Sequence, residues 1–351
     1  IDSSTVIGQN FGVPTGVGEY GTDIGELDLV LETAVFVKNL ELIGFEDLDG
    51  LTYFGALAPL RLRYKANENV TVEVGAVLAQ DFGDRDALDI IDPILRISIE
   101  PTDDVHLIAG TILPTHASHQ ALFDDTVKFQ ETSESGFQFR INKDKLKNDS
   151  WINWRINEGA VRAEEFEIGQ VSQLSFMDNR IKLDGQFHYT HAGGQISTSR
   201  VVDNNFAGLA GLSIGTGDWG RNYMGWDRVA DLRVRGGLLW TSENSKDAPS
   251  TSGDGWEIGA LMDLDMSKRT KLRFETSYFD GDALNAERGD PLYRFDNYAQ
   301  VGAIGQWNFG ENANIEFGAV YQDAGDRNNW TAQINFTYGT AFITDFFRPR
   351  R

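Results

Sequence analysis

Trp330-Thr331-Ala332-Gln333-Ile334-Asn335-Phe336-Thr337-Tyr338-Gly339 reads in strict alternation. Trp330, Ala332, Ile334, Phe336 and Tyr338 fall on one side of an extended chain, and Thr331, Gln333, Asn335, Thr337 and Gly339 on the other. Successive side chains of a strand point to opposite faces, so this stretch is a strand with one apolar and one polar face. The pattern returns along the whole chain. Ile181, Leu183, Phe187 and Tyr189 oppose Lys182, Asp184, Gln186 and His188. Trp256, Ile258, Ala260, Met262 and Leu264 oppose Glu257, Gly259, Asp263 and Asp265, with Leu261 breaking the polar face. Leu27, Leu29, Leu31, Val35 and Val37 oppose Glu26, Asp28, Glu32 and Lys38. Val70–Leu78, Leu272–Tyr278 and Ile315–Tyr321 behave alike.

These runs exceed the roughly 5–6 residues usual in soluble sheets and match the roughly 9–11 that a tilted strand needs to cross a bilayer. No stretch has the 3.6-residue period of a helix that might cover such strands, and none is apolar for the roughly 18 residues of a membrane helix. Short polar turns recur at 66–69, 101–104, 142–145, 178–180, 267–270 and 310–314. Longer Gly- and Asp-rich loops lie between them, at about 39–51, 81–92, 114–135, 158–164, 191–204, 241–254, 280–297 and 323–329, and a further turn is needed near 215–228. The strands then number about 16, an even count with both ends beside short turns. Their expected spans are 27–38, 52–65, 70–80, 93–100, 105–113, 136–142, 149–157, 165–176, 181–190, 205–214, 229–240, 255–266, 271–279, 298–309, 315–322 and 330–341. The expected fold class is all-β: a closed antiparallel transmembrane β-barrel with short periplasmic turns and longer extracellular loops. Closure also removes the edges that so many strands would otherwise expose. Outward aromatics gather at strand ends as interface girdles would: Tyr64, Trp307 and Phe309 beside short turns, and Tyr189, Trp240, Trp256, Tyr278, Tyr321 and Trp330 beside long loops.

The chain of 351 residues carries 31 Lys+Arg against 53 Asp+Glu, a formal charge of −22. Nucleic acid is thereby excluded as a partner, because phosphate contacts need a basic face. There is no cysteine, hence no disulfide framework, zinc–thiolate site or thiol nucleophile. The chain starts at Ile1, as a processed or trimmed form would. Three parts are expected: residues 1–26 as a lead-in or lumen segment, 27–342 as the barrel, and 343–351 as a tail.

With its strands in place, the sequence resembles Gram-negative bacterial outer-membrane β-barrels of the porin type over roughly residues 27–342. The resemblance is architectural and no short motif carries it. The chain runs past Phe342, where barrels of this type commonly end on an aromatic. The resemblance implies an integral outer-membrane protein in contact with lipid and lipopolysaccharide. It further implies passive diffusion of small hydrophilic solutes or ions, no cofactor and no chemistry, and it allows a homotrimer. The same strand number fits a dedicated sugar or polysaccharide channel, and a plugged structural barrel is a further alternative. A soluble all-β carbohydrate-binding protein is the alternative outside the membrane.

In a barrel of this size the polar face is expected to line an aqueous channel rather than a packed core. Facing lipid at mid-depth would cost a charged side chain about 2–4 kcal/mol, so the charged residues of the strands are assigned inward. The pore-lining candidates are Arg61, Arg63, Glu73, Arg96, Arg140, Arg155, Asp184, Arg233, Arg235, Asp263, Arg273 and Glu275. An arginine ladder facing carboxylates would set a transverse field; alternatively, Arg–Glu pairs simply stiffen the wall. In general porins the loop after the fifth strand folds inward, which makes Ala121–Glu134 the constriction candidate, with Asp124, Asp125, Glu131 and Glu134 as its charged groups.

Other chemistry has little support. His116 and His119 with Asp124 and Asp125 lack a helix to fix ligand geometry, so no metal site is expected. His188, His191 and Asp184 suggest Asp/His hydrolysis. However, Asp184 and His188 stand four residues apart on one face, about 13 Å along the strand. There is no Gly-x-Ser-x-Gly elbow, phosphate loop or dinucleotide fingerprint. The expectation is a protein that is not an enzyme. Acid runs at Glu46–Asp49 and Asp81–Asp89 are solvated loops or weak divalent-cation bridges to lipopolysaccharide.

Overall fold

Sixteen antiparallel strands close on themselves in the computed structural model of the chain, in which residues 23–45, 48–83, 90–112, 114, 116–127, 131–194, 202–217, 228–246, 248–310 and 312–343 are described. The first eight are β1 (Leu27–Ile43), β2 (Thr52–Asn67), β3 (Val70–Asp81), β4 (Ile90–Thr102), β5 (Val105–Ile112), β6 (Glu134–Lys143), β7 (Leu146–Ile156) and β8 (Glu164–Phe176). The second eight are β9 (Ile181–Gly193), β10 (Asp203–Gly215), β11 (Val229–Ser245), β12 (Thr251–Asp265), β13 (Thr270–Gly281), β14 (Asn297–Asn308), β15 (Ala313–Asp323) and β16 (Asn328–Ile343). Each strand pairs with its sequence neighbours, and β1 pairs with β16 from Asp28↔Ile343 to Ile43↔Asn328. That seam leaves no strand edge, so every ladder group finds a partner inside the wall.

All sixteen expected strands are present, most with longer ends. β1 runs on to Ile43 and β11 to Ser245, and β6 begins at Glu134, inside the expected loop. The connection after β10, residues 216–228, is a long one on the rim of otherwise short turns, and 218–227 lie outside the described residues. So do residues 1–22 of the expected lead-in, 344–351 of the expected tail, and Glu46, Asp47 and 84–89 of the acid runs.

The two faces separate as the alternation demands. Leu95, Leu238, Val234 and Ile334 point outward and are more than half exposed to the surroundings of the wall. Tyr64, Trp240, Trp256, Tyr278, Trp307 and Trp330 sit at outward strand ends. The inner face departs from a purely aqueous lining. On β1–β4 the inward residues Ala34, Phe36, Leu57, Val77, Ala79 and Ile94 form a buried apolar cluster. On β10, β11 and β13, Leu209, Leu239 and Phe279 form the floor of another. Part of the interior is therefore a packed core, contrary to the expectation from strand number alone. The breaks in alternation, such as Leu239 and Phe279, are where loops press against the wall from inside.

If Val234 faces lipid, Val234→Lys should destabilise the folded barrel by about 2–4 kcal/mol in lipid vesicles. Urea titration of the variant would measure this; a loss under about 0.5 kcal/mol, typical of a tolerant surface site, would contradict the assignment.

Candidate functional site

Among the described residues, two connections leave the rim and enter the barrel: 116–127 and 131–133 between β5 and β6, and 282–296 between β13 and β14. They are tied to one another by backbone. Asp290 N–H donates to the Gln120 carbonyl at 2.8 Å, and Asp124 N–H to the Arg288 carbonyl at 2.6 Å. At Gly289 a Cβ would lie 2.3 Å from the Ala121 oxygen, so only glycine permits this approach. Ala121 and Leu122 then pack with Leu284, Tyr293 and Tyr298 on the inner faces of β10–β14. Burying such side chains contributes about 1.5–3 kcal/mol each for the larger ones, which fixes loops that would otherwise wander.

Histidines and carboxylates pin the first loop to the wall. His116 is buried, with Nε2 2.7 Å from Glu134 Oε2 and Nδ1 3.0 Å from Asp149 Oδ2. Its ring stacks on Trp151 at 3.6 Å and 7°. Trp151 lies flat over Gly169, where any Cβ would fall 2.0 Å from the indole. Both imidazole nitrogens face carboxylate oxygens, so the ring is held as the cation. Burial opposes the charge, but Glu134 and Asp149 outweigh it and push the His116 pKa up to about 9. His119 is different. Its Nδ1 accepts from Ala121 N–H at 3.2 Å, so its Nε2 carries the proton and donates to Glu257 at 3.2 Å. Glu257 also accepts from Arg235 at 2.6 Å and from the Tyr293 hydroxyl at 2.6 Å. His188 stands 3.5 Å from Glu167, which Arg288 of the second loop approaches to 3.2 Å.

The sequence-predicted wall residues are all on the inner face, though not as one ladder. Arg61 bridges Glu32 at 2.7 Å and Glu73 at 2.9 Å; Arg63 and Arg96 each reach the same Glu73 at 2.9 Å. Arg155 bonds Glu131 at 3.0 Å, Arg233 pairs with Asp231 at 2.8 Å, and Arg273 grips Asp263 at 2.6 and 2.8 Å. Asp184 accepts from Gln173 at 2.7 Å. Glu275 is buried on β13, and Arg140 is half-buried on β6 opposite Asp149. Each mapped ion pair is thus closed between near neighbours. Losing one partner of such a buried pair costs about 3–5 kcal/mol, because it strands the other charge.

Of the constriction candidates, Asp125 reaches across the lumen to an ion pair with Lys38 of β1. Asp124 accepts from Thr126 N–H and Oγ1–H. Glu131 holds Arg155 and Arg288, the latter at 2.6 Å. Glu134 belongs to β6 rather than to the loop and is the partner of His116. Residues 128–130 of the expected segment lie outside the described residues. Sequence reasoning put Lys38 on the polar face of its strand but did not link it to Asp125, and it missed the whole inward course of 282–296. The apolar Leu284, Ala286, Leu292 and Tyr293 amid polar neighbours were its signal.

A space of about 360 Å³ remains beside His119, Asp184, Gln186, Arg235 and Glu257, and a larger one lies to the other side. A cavity of about 960 Å³ lies between the two loops and the inner faces of β1 and β14–β16. Lys38, Tyr53, Gln300, Gln322 and Asn329 line it, with Asp124, Asp125 and Asp290 from the loops. Burial, reinforced by Asp124, pushes the Asp290 pKa up to about 7.

A second arrangement sits outside. His191 faces outward on β9, near the rim of longer connections, opposite Phe166 of β8. Its Nδ1 is 2.8 Å from Asn204 Oδ1, which also accepts from the Tyr189 hydroxyl at 2.6 Å. With Oδ1 accepting, Nδ1 carries the proton and Nε2 keeps its lone pair. Nε2 lies over Gly193, where a Cβ would fall 2.7 Å from it. His191 and His188 therefore point to opposite sides of the wall, and with Asp184 they make no joint site.

A family model described as Lipid A 3'-O-deacylase-type matches residues 21–338. The chain belongs to that family. No curated protein matches the sequence. Among solved structures, a loop L8 deletion mutant of OmpT, an outer membrane protein of Vibrio cholerae, aligns at 14% identity and TM-score 0.55, covering 91% of this chain and 100% of that one. In-vitro folded OmpT in its trimer form aligns at 12% identity and TM-score 0.54, covering 91% and 100%. An anion-selective porin from Comamonas acidovorans aligns at 9% identity and TM-score 0.52, covering 90% and 98%. These likenesses establish the outer-membrane barrel fold, and trimeric forms occur among such barrels. The family match overturns the expectation of a protein that is not an enzyme. That expectation rested on the lack of a known hydrolase motif, and the outward His191 arrangement has no motif in the sequence to announce it.

The His116 pin predicts a pH signature. Its folded pKa is raised above the free value, so its contribution is complete below pH 6.5 and is lost as pH rises through about 9. Wild-type protein in urea titrations from pH 6 to 10 should lose on the order of 2–3 kcal/mol more than His116→Gln. Parallel pH profiles for the two would contradict the pin.

Proposed function

We propose that this member of the lipid A 3'-O-deacylase-type family is an outer-membrane channel of restricted bore that admits small hydrophilic solutes. The supporting observation is the eccentric filling of the lumen. Two loops anchored on β10–β14 leave a cavity of about 960 Å³, open space included, beside β1 and β14–β16. In this reading the twelve inner-wall charges line or brace the pore, and Asp124 and Asp125 border its narrow part. Glu131 and Glu134 act as anchors instead. Because the mapped arginines are closed into local pairs, selectivity rests on width and hydrogen bonding more than on a transverse field.

Membership of the family and the His191 arrangement together favour a second activity on the outer wall: hydrolysis of an acyl ester of an outer-leaflet lipid such as lipid A. Asn204 holds the imidazole in the tautomer a general base requires. Nε2 takes a proton from water as the water oxygen adds to the acyl carbonyl. The tetrahedral adduct collapses with cleavage of the C–O bond, and His191 returns the proton to the departing sugar oxygen. Phe166 beside His191 and Trp154 stacked on Phe166 at 5.1 Å offer apolar surface to the acyl chain.

Single-channel recording in planar bilayers tests the channel. Stepwise conductance is expected, and deletion of residues 116–127 should raise it about twofold or more, in line with the wider lumen of an unobstructed barrel. Persistent silence from inserted protein would overturn the reading. Mass spectrometry of lipopolysaccharide incubated with the protein tests the second activity. Acyl release should fall by about 10²-fold or more in His191→Gln, the usual effect of removing a general base. Equal release by wild type and variant would remove His191 from the chemistry.

A further inference from the structure

The geometry points to a binding site for a neutral polyhydroxylated solute, a sugar, on the β14–β16 side of the lumen. The inference rests on the channel reading and names the solute class. Apart from Glu316 of β15, the polar groups on the inner faces of these three strands are amides and hydroxyls, where the opposite wall carries paired charges. At the cavity they form a directed chain. Asn329 Nδ2 donates to Gln322 Oε1 at 2.6 Å and to Thr331 Oγ1 at 3.2 Å, and Gln322 Nε2 donates to Gln300 Oε1 at 3.3 Å. With Nδ2 so committed, Asn329 Oδ1 has no protein partner, although Asn329 is only 3% exposed and borders the cavity.

The feature continues along the strand. Gln333 Oε1, Asn335 Nδ2 and Thr337 Oγ1 follow on the same inward face of β16, all buried and all without a protein partner. A buried amide or hydroxyl left unmade is costly, and four among the five inward positions from Asn329 to Thr337 are unusual for structure alone. Amides suit a sugar because each offers a donor and an acceptor to neighbouring hydroxyls. The same cavity also offers apolar surface, from Leu40, Leu51, Leu292 and Ile304, to the C–H faces of a ring. Tyr53 adds an aromatic ring to that surface.

A cationic solute is the competing class, since Asp49, Asp124, Asp125, Glu275 and Asp290 outnumber Lys38 at the cavity. The loop carboxyls beside Lys38 are already engaged: Asp125 with Lys38, Asp124 with Thr126, and Asp290 with the Leu292 N–H. The neutral polar atoms left without a hydrogen-bond partner gather on β16.

The test is current block in planar bilayers by glucose, glucosamine and gluconate, each at increasing concentration on one side. Saturable block by glucose, with glucosamine and gluconate no stronger, is expected. Gln322→Leu and, separately, the milder Asn329→Ser should each raise the half-blocking glucose concentration about tenfold, the equivalent of one or two lost hydrogen bonds. Block is read as a fraction of each variant's own open current, so a change in conductance does not mask it. Ion current that glucose never interrupts would overturn the sugar site and leave the channel standing. Tenfold stronger block by glucosamine would overturn it in favour of an acidic cation site. If no current is seen, the channel reading fails, and isothermal titration of glucose into detergent-purified protein decides the site by itself: saturable heat sustains it and no heat removes it.

Discussion

Everything in this molecule follows from one constraint: inside a bilayer, every backbone N–H and C=O must find its partner within the protein. A sheet meets that condition only by closing, and here it closes through the β1–β16 ladder. Closure fixes the alternation of faces, and the alternation fixes where charge can go. The arginines and carboxylates of the strands have no outward option at mid-depth, so they meet inside, where each must be neutralised by its neighbours. The cluster of Arg61, Arg63 and Arg96 around Glu73 and Glu32 is the consequence.

A closed wall of sixteen strands encloses more space than its own side chains fill, and the way this space is divided gives the barrel its character. Two loops enter and pack on one side, sealed by the backbone contact at Gly289 and by histidine–carboxylate pins at His116 and His119. The pins are unlike. His116 is a buried cation between two acids, whereas His119 accepts from the Ala121 N–H on Nδ1 and meets Glu257 through Nε2. One is sensitive to alkali, and the other is a hydrogen-bonding strut. The larger remaining space lies against the amide-rich β14–β16 wall, with Lys38, Asp124, Asp125, Glu275 and Asp290 also on its lining.

Much of this was legible in the sequence because a period of two is a strong signal over long strands. Trp330–Gly339 already separates lipid from lumen, and Leu27–Lys38 repeats the division with its carboxylates inside. The inward assignment of Arg61, Arg96, Arg233 and Arg273 followed from the cost of the alternative. What the pattern did not reveal has physical reasons. Strand ends such as Ile43 and Ser245 extend past the membrane, where no apolar period marks them. The partner of Lys38 lies 87 residues away, at Asp125 of a loop, and no local rule links them. Phe279 and Leu239 look like lapses in a polar face until a loop is seen resting on them. His191 needed the register of β9 with β10 before Asn204 came within reach, and without that register a motif search finds nothing.

The central claim is that the lumen is filled on one side and open on the other. The chain lacks cysteine, so single cysteines introduced at chosen positions can report water access without background. Ala121→Cys sits in the sealed side, Leu40→Cys borders the cavity and Val234→Cys faces lipid. The direct measurement is the rate of modification of each by a charged, membrane-impermeant thiol reagent in reconstituted vesicles. The account predicts rapid modification of Leu40→Cys and protection of the other two. Modification of Ala121→Cys as fast as Leu40→Cys would contradict it, because the loops would then not be packed against the wall.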